Sequence, residues 1–219
     1  MPELTLYNYW RSSSSHRVRI ALELKGLRYR YVPVNLLAEE HSGDDHRARS
    51  PTGYVPSLVI DGVAYCESVA ILELLEERFP APALLPVAPH ARARVRALVE
   101  IVNSGIQPLH NLSVMLFVSK DPEAQKSWVR HFIARGLASL EAALQANAGE
   151  GIEGQDGPFA YGQAPTLADV LLVPQLVSAR RFKVDLAPYA RVTRAFEAAC
   201  RLDAFQRAAP ERQPDAVIG

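Results

Sequence analysis

Hydrophobic and polar positions follow two different rhythms along the chain. Near the N-terminus, LTLY (Leu4 to Tyr7) is an apolar run of strand length, and Ser15 to Lys25 places Val18, Ile20, Ala21, Leu22 and Leu24 as a helix closed by Gly26. RYRYVPV alternates Tyr29 and Tyr31 with their neighbours as a strand does, and the looser polar stretch Ala38 to Ser50 has room for one irregular helix. VPSLVIDGVAYC predicts two strands around an Asp61-Gly62 turn, a dipeptide that suits a two-residue hairpin. Ser68 to Arg78 then repeats apolar residues at Val69, Ile71, Leu72, Leu74 and Leu75, with Glu73, Glu76 and Glu77 outward, which reads as a helix. The predicted order is βαβαββα.

PAPALLPVAP (Pro80 to Pro89) is too proline-rich to continue either element and reads as a linker. After it the rhythm is helical throughout: His90 to Val118, Pro122 to Asn147, Thr166 to Arg180 and Tyr189 to Arg207, with Ala, Leu and Arg predominating. The Gly-rich stretch NAGEGIEGQDG interrupts them. The pattern therefore predicts an α/β domain over 1–82, a linker over 83–89 and an all-α domain over 90–219.

Composition narrows what such a chain does. Its 219 residues, 48% of them apolar, suffice for a substantial core. Lys plus Arg (24) equals Asp plus Glu (24), so no global field favours nucleic acid or an anionic membrane, and anion recognition has to be local. Apolar runs such as LLVPQLV fall short of a membrane span, and the start lacks the apolar core of a signal peptide, which makes a cytoplasmic location the expectation. Cys66 and Cys200 stand apart from each other and from any His cluster, against a dithiol site or a metal site, and buried packing is expected of both.

The candidate chemistry lies in RSSSSHRVRIAL. Four serines follow the first strand and open the first helix, where backbone N–H groups are unpaired and the dipole is positive, so an anion or thiolate is stabilised there. A simple capping cluster explains the same residues equally well. Val55-Pro56 precedes the third strand, where proline is allowed and a cis bond would turn backbone groups outward. Glu67-Ser68 ends the fourth strand and opens a helix that Ser68 is expected to cap, offering N–H groups to a second carboxylate.

With these residues in place, the chain resembles a zeta-class glutathione transferase, the family that includes maleylacetoacetate isomerase and maleylpyruvate isomerase. The class signature R-S-S-C-S-x-R-V-R-I-A-L reads here RSSSSHRVRIAL, and the likeness continues through VPVNLL, VPSL, DGVAYCES, LLEERFPAPALLP, GIQPLHNLSV, TLADVLLVPQ, RFKVDLAPY and the closing RQPD. Thr166-Leu-Ala-Asp169 has capping-box spacing ahead of an apolar helix, as the helical domain of such transferases does. The resemblance implies a thioredoxin-like glutathione-binding domain, an all-helical substrate domain, glutathione as cofactor and a homodimer.

It also assigns residues. Ser12 and Ser14 are the hydroxyls nearest the glutathione sulfur, with Ser13 close by and Ser14 standing where the best-known members have cysteine. A thiol that starts near a pKa of about 8.5 needs only about 1.4–2.7 kcal/mol from a hydroxyl donor and a helix N-terminus to be mainly thiolate at neutral pH. Ser15, His16, Arg17, His41, Val55, Pro56, Glu67, Ser68, Gln107, Asn111 and Ser113 complete the implied tripeptide contacts. Some have structural rivals: His41 as a surface histidine, Gln107 as a partner to the Pro108 kink, Asn111 as polar packing. Arg11 and Arg181 are the implied cations for a dicarboxylate substrate, since rigid guanidinium groups suit carboxylates and a developing enolate.

The implied reaction is reversible thiolate addition to a cis-enedione, rotation about the former double bond, and expulsion of the thiolate. Leu112 and Ser113 favour 4-maleylacetoacetate, whereas SHR and EEH favour 3-maleylpyruvate, and small α-halo acids are a side activity of the class. A glutathione-binding module without turnover and a general conjugating enzyme are the rival functions. The loop from Gly149 to Phe159 is a candidate cover for the site.

Overall fold

A computed structural model describes residues 2–147 and 157–217. Leu4–Asn8 (β1), Arg30–Pro33 (β2), Ser57–Ile60 (β3) and Val63–Cys66 (β4) form one sheet in the order β2-β1-β3-β4. The β1–β2 pair is parallel, which requires the crossover helix Ser13–Leu24 (α1), while β1–β3 and β3–β4 are antiparallel. Ile60 faces Val63 across a loop in which Asp61 (φ 50) and Gly62 (φ 84) are both left-handed, so the DG hairpin forms as its residues dictate. Asp44–Arg47 (α2) is the short helix between β2 and β3, and Ser68–Arg78 (α3) follows β4, giving the expected βαβαββα order.

Leu6, Val18, Ile20, Leu22, Leu58, Ile60, Ile71, Leu72 and Leu75 fill the core of this unit. Two buried polar ties supplement it. Lys25, at the end of α1, donates to Glu76 Oε2 (2.8 Å), Phe79 O (2.7 Å) and Pro82 O (3.0 Å), so the last turn of α1 holds the exit of α3. Arg17 Nη1 donates to Ser68 Oγ at 3.0 Å, tying the first turn of α1 to that of α3.

The remaining helices are Pro89–Asn103 (α4), Leu112–Val118 (α5), Pro122–Asn147 (α6), Leu167–Arg181 (α7), Ala190–Cys200 (α8) and Asp203–Ala208 (α9). Two stretches expected as single helices are broken. His90–Val118 divides into α4, a 3-10 turn at Gln107–His110 and α5, because Gly105 and Pro108 interrupt the backbone ladder. Tyr189–Arg207 divides at Leu202, whose backbone is extended (φ −80, ψ 132).

The second break is a boundary. One compact unit comprises Met1–Ala83 together with Leu202–Gly219, and the other comprises Leu84–Arg201, so the tail expected to end the helical domain belongs to the α/β unit. In that unit α9 packs on α1. The expected linker is corrected too: Leu84 and Leu85 are buried, Leu167 N donates to Leu84 O at 2.9 Å, and α4 starts already at Pro89. In the helical unit α7 is apolar on nearly every side and packs against α4 and α8, while Gly136 of α6 lies so close to Ile106 that a Cβ there would sit 2.2 Å from its Cγ1. Among the described residues neither Cys66 nor Cys200 is in a disulfide, and both are half-buried rather than buried. Residues 149–156 of the Gly149–Phe159 loop lie outside the described residues.

Candidate functional site

The chain leaves β1 through Tyr9, Trp10 and Arg11 and enters α1 at Ser12. Ser12 is the N-cap, with extended backbone (φ −69, ψ 123), and its Oγ accepts from Ser15 N at 3.2 Å. A hydroxyl that accepts from an amide keeps its own proton to donate, so the cap oxygen remains a donor toward an anion. Ser12, Ser13 and Ser14 are half-buried and Arg11 is exposed, its guanidinium 5.6 Å from the Trp10 ring centre. Tyr9, Val34 and Val55 form an apolar bed, with Tyr7, Trp10 and Leu36 against it, beside this polar turn.

Ser15, His16 and Arg17, expected as ligand contacts, point inward instead. Ser15 is fully buried with Oγ 3.5 Å from Tyr9 N, which donates to it. His16 is buried with Nε2 unpartnered, and burial together with the Arg19 charge holds its pKa well below the usual histidine value. Arg17 is buried beneath Ser68. The reason lies in the packing of α1: α3 and α9 lie against it, so Ser15 to Leu22 are buried and only its ends, Ser13, Ser14, Glu23 and Leu24, are partly open.

The start of α3 corrects another expectation. Ser68 is not its cap: Glu67 is, exposed, with φ 66 and ψ 112 and without a side-chain cap bond among the described residues. A left-handed backbone at a non-glycine residue costs of order 1–3 kcal/mol and points to a functional constraint. The first N–H groups of α3 therefore lack a side-chain cap, and Ser68 Oγ accepts from Arg17, which orients that hydroxyl.

Val55 precedes a cis bond to Pro56, and its backbone makes no hydrogen bond to another described residue. The carbonyl just before it is anchored: His46 Nε2 donates to Tyr54 O at 3.1 Å and Ser50 Oγ donates to it at 2.9 Å. His41 is half-buried in the 3-10 turn Glu40–Ser42, with Nδ1 unpartnered. The α/β unit thus gathers Ser12, Ser13, Ser14, Val55, Glu67 and Ser68 around two helix starts, a chemistry that suits a ligand with a soft anion at one point and a carboxylate at another.

The helical unit holds the others. Gln107 opens the 3-10 turn, Asn111 is the N-cap of α5 and Ser113 lies in its first turn. Arg181 is the last residue of α7, exposed, its guanidinium 4.8 Å from the Phe182 ring centre. Phe182 in turn tilts against His110 at 6.4 Å, His110 Nε2 lies 3.2 Å from Gln175 Oε1, and Arg130 Nε donates to Phe182 O at 2.8 Å. Sequence reasoning missed this support, as it missed His46, Ser50 and the partners of Arg19, which are Asn8, Tyr9, Trp10 and Ala208 rather than acidic residues of a neighbouring helix. Those partners could have been sought: Arg19 is set in the run Val18, Ile20, Ala21, Leu22, and a guanidinium buried with such a run has to be bonded.

Residues 6–83 match the family described as glutathione S-transferase, N-terminal domain. A maleylpyruvate isomerase of Ralstonia sp is 45% identical over 98% of this chain and 100% of its own. A glutathione S-transferase zeta class of Euphorbia esula is 44% identical over 99% of this chain and 94% of its own. The maleylacetoacetate isomerase of Anaeromyxobacter dehalogenans 2CP-1, solved with glutathione bound in its active site, superposes with a TM-score of 0.87 at 52% identity, covering 99% of both chains. The same protein has been solved with dicarboxyethyl glutathione and citrate in that site.

Proposed function

The chain belongs to the zeta class of glutathione transferases, the family of maleylacetoacetate and maleylpyruvate isomerases, and from that premise we infer a glutathione-dependent cis-trans isomerase. The observation that carries the reading is the pair of helix starts in one unit, the serine-lined start of α1 and the start of α3 left without a side-chain cap, joined by the Arg17–Ser68 bond. Glutathione fits them, since it brings one thiol and a γ-glutamyl carboxylate. Bound glutathione supplies a thiolate that is both nucleophile and leaving group, so a cis double bond becomes rotatable and is restored as trans.

The chain's own residues do the rest. The hydroxyls of Ser12, Ser13 and Ser14 and the α1 dipole hold negative charge at the sulfur. Ser14 needs no thiol for this role. The unpaired backbone of Val55 binds the tripeptide main chain, and Glu67, Ser68 and the α3 amides bind its γ-glutamyl end; His41, Gln107, Asn111 and Ser113 are the further contacts. Arg11 and Arg181 are the cations we assign to the substrate carboxylates and to the developing enolate. Ser15, His16 and Arg17 support the turn from below.

The substrate we assign is 4-maleylacetoacetate. A second reading, 3-maleylpyruvate, is favoured by the 45% identity to the Ralstonia isomerase. Small α-halo acids fit the class as a side activity. Family membership supports a homodimer and a cytoplasmic setting, and no helix of the described residues is long and apolar enough to cross a membrane. The test is the rate of loss of both substrates with trace glutathione, for wild type and Arg181→Ala. Conversion to a fumaryl product without net loss of glutathione is expected, faster for maleylacetoacetate and lowered at least tenfold in the variant. Glutathione binding without any conversion would leave only a binding module, and steady glutathione consumption would make the protein a conjugating enzyme.

A further inference from the structure

The closing RQPD block has no task in the isomerase reading, yet it returns to the serine turn. Asp215 accepts twice: Oδ2 from Trp10 N at 3.2 Å and Oδ1 from the Tyr31 hydroxyl, which reaches it from β2. Arg19 holds the two peptide groups that flank Trp10: Nη2 donates to Trp10 O at 2.9 Å, Nη1 reaches Asn8 Oδ1 (2.9 Å) and Tyr9 O (3.4 Å), and Nε donates to Ala208 O at 3.0 Å in the tail. Gln213 keeps the tail on course by donating to Arg207 O (2.9 Å) and Ala209 O (2.8 Å). Trp10 is thus fixed through both its N–H and its C=O, and the two residues that follow are Arg11 and Ser12.

We propose that Asp215 is a positioning residue for the serine turn: through the Trp10 amide it sets the path of the Trp10–Arg11–Ser12 backbone, and so the aim of the Ser12 hydroxyl and the Arg11 guanidinium. The proposal rests on the glutathione reading of that turn. Residues 84–201 separate the tail from the turn in sequence, so chain order gives no hint that the last residues serve the first loop. Geometry, not charge, is what Asp215 contributes. An asparagine keeps one oxygen for Trp10 N–H, and its amide can donate to a Tyr31 hydroxyl turned round to accept.

The experiment compares wild type, Asp215→Ala, Asp215→Asn and Tyr31→Phe in the full chain. It measures glutathione affinity and stoichiometry by calorimetry, ultraviolet thiolate absorbance of the bound tripeptide, kcat at saturating glutathione, and hydrogen exchange at the Trp10 amide. Asp215→Ala is expected to keep full stoichiometry and an affinity within threefold, while thiolate absorbance falls, kcat drops at least tenfold and the Trp10 amide exchanges at least tenfold faster. Asp215→Asn should restore all of these to within twofold. A loss of kcat matched by a loss of stoichiometry, an unchanged Trp10 amide, or an asparagine variant no better than alanine would overturn the proposal. If the alanine variant does not fold, Tyr31→Phe decides, with faster Trp10 exchange and lower kcat expected and no change in either overturning it. If the wild type bound no glutathione, the functional reading would fall, and amide exchange would still decide whether Asp215 holds the turn.

Discussion

Helices α7 and α3 begin in opposite ways. At α7 the chain closes its own helix start: Thr166 Oγ1 accepts from Ala168 N, and Asp169, fully buried, accepts from Thr166 N (2.8 Å), Thr166 Oγ1 (3.1 Å) and Ala160 N (2.7 Å). At α3 the N-cap residue makes no side-chain cap bond among the described residues and is exposed in a left-handed conformation, and the nearby hydroxyl is turned by a buried arginine. A start that serves only the fold is sealed by local residues, since unpaired buried N–H groups are costly. A start that serves a ligand keeps its donors open. The first turn of α1 combines the two, capped by Ser12 yet leaving hydroxyl protons to donate.

The largest effect should come from breaking the sealed start. Asp169→Ala orphans three buried donors and is expected to cost about 3–5 kcal/mol, the sum expected for several lost bonds after some relaxation. Urea unfolding measures it, and glutathione affinity of the folded protein should stay within twofold. A loss of affinity with little loss of stability would reverse the comparison.

The pH dependence of the same residue comes next. Burial pushes the Asp169 carboxyl up to about 6, against the pull of its Ala160 and Thr166 donors. With the folded pKa above the ordinary carboxyl value, the folded protein holds this proton where the unfolded chain has lost it. Stability from this group is therefore fully present below about pH 4 and is lost as pH rises through about 6, by about 2–3 kcal/mol. Urea midpoints across that range should show a slope that Asp169→Asn flattens, and an identical slope in the variant would rule Asp169 out as its source.

Legibility in the sequence follows the same division. The hairpin, the strands and the α7 box were readable because their causes are local: a DG dipeptide, period-two alternation, Thr and Asp three residues apart. Ser68 reads as a cap because serine after a strand ordinarily is one. Its partner, Arg17, lies 51 positions away, and the left-handed Glu67 leaves no compositional mark. His16 and Arg17 read as ligand contacts because their place in the motif is visible in the sequence and their burial is not. The returning tail was invisible for the same reason, since only tertiary contact separates α9 from α8. Family likeness supplied the residue roles; local chemistry alone reached no further than an anion-binding turn.

At the open start the effects shift from stability to binding. Ser68→Ala removes the hydroxyl oriented by Arg17 and should weaken glutathione about tenfold, about 1.4 kcal/mol, with a stability cost of about 1 kcal/mol or less. Calorimetry and thermal unfolding separate the two. An affinity unchanged within twofold would make the Arg17–Ser68 bond structural only.

The smallest effect tests the cost of leaving a helix start open. At Glu67 the backbone (φ 66, ψ 112) lies where a Cβ is crowded, so Glu67→Gly relieves strain while giving the unfolded chain more freedom. The balance should leave the protein about 0.5–1 kcal/mol more stable, because strain at such a residue is of order 1–3 kcal/mol and the entropy cost of glycine is about 1 or less. Glutathione affinity should fall a few-fold, since the exposed carboxylate is lost and the N-cap residue is no longer held in one conformation. Thr166 has ordinary extended backbone (φ −122), so Thr166→Gly carries no strain to release and should only destabilise. Opposite signs for one substitution at two N-caps, read from urea midpoints, would establish that α3 carries a ligand-driven strain that α7 does not. Matching signs would mean that the left-handed N-cap is neutral, and the open start would then owe its form to the path of β4 rather than to the ligand.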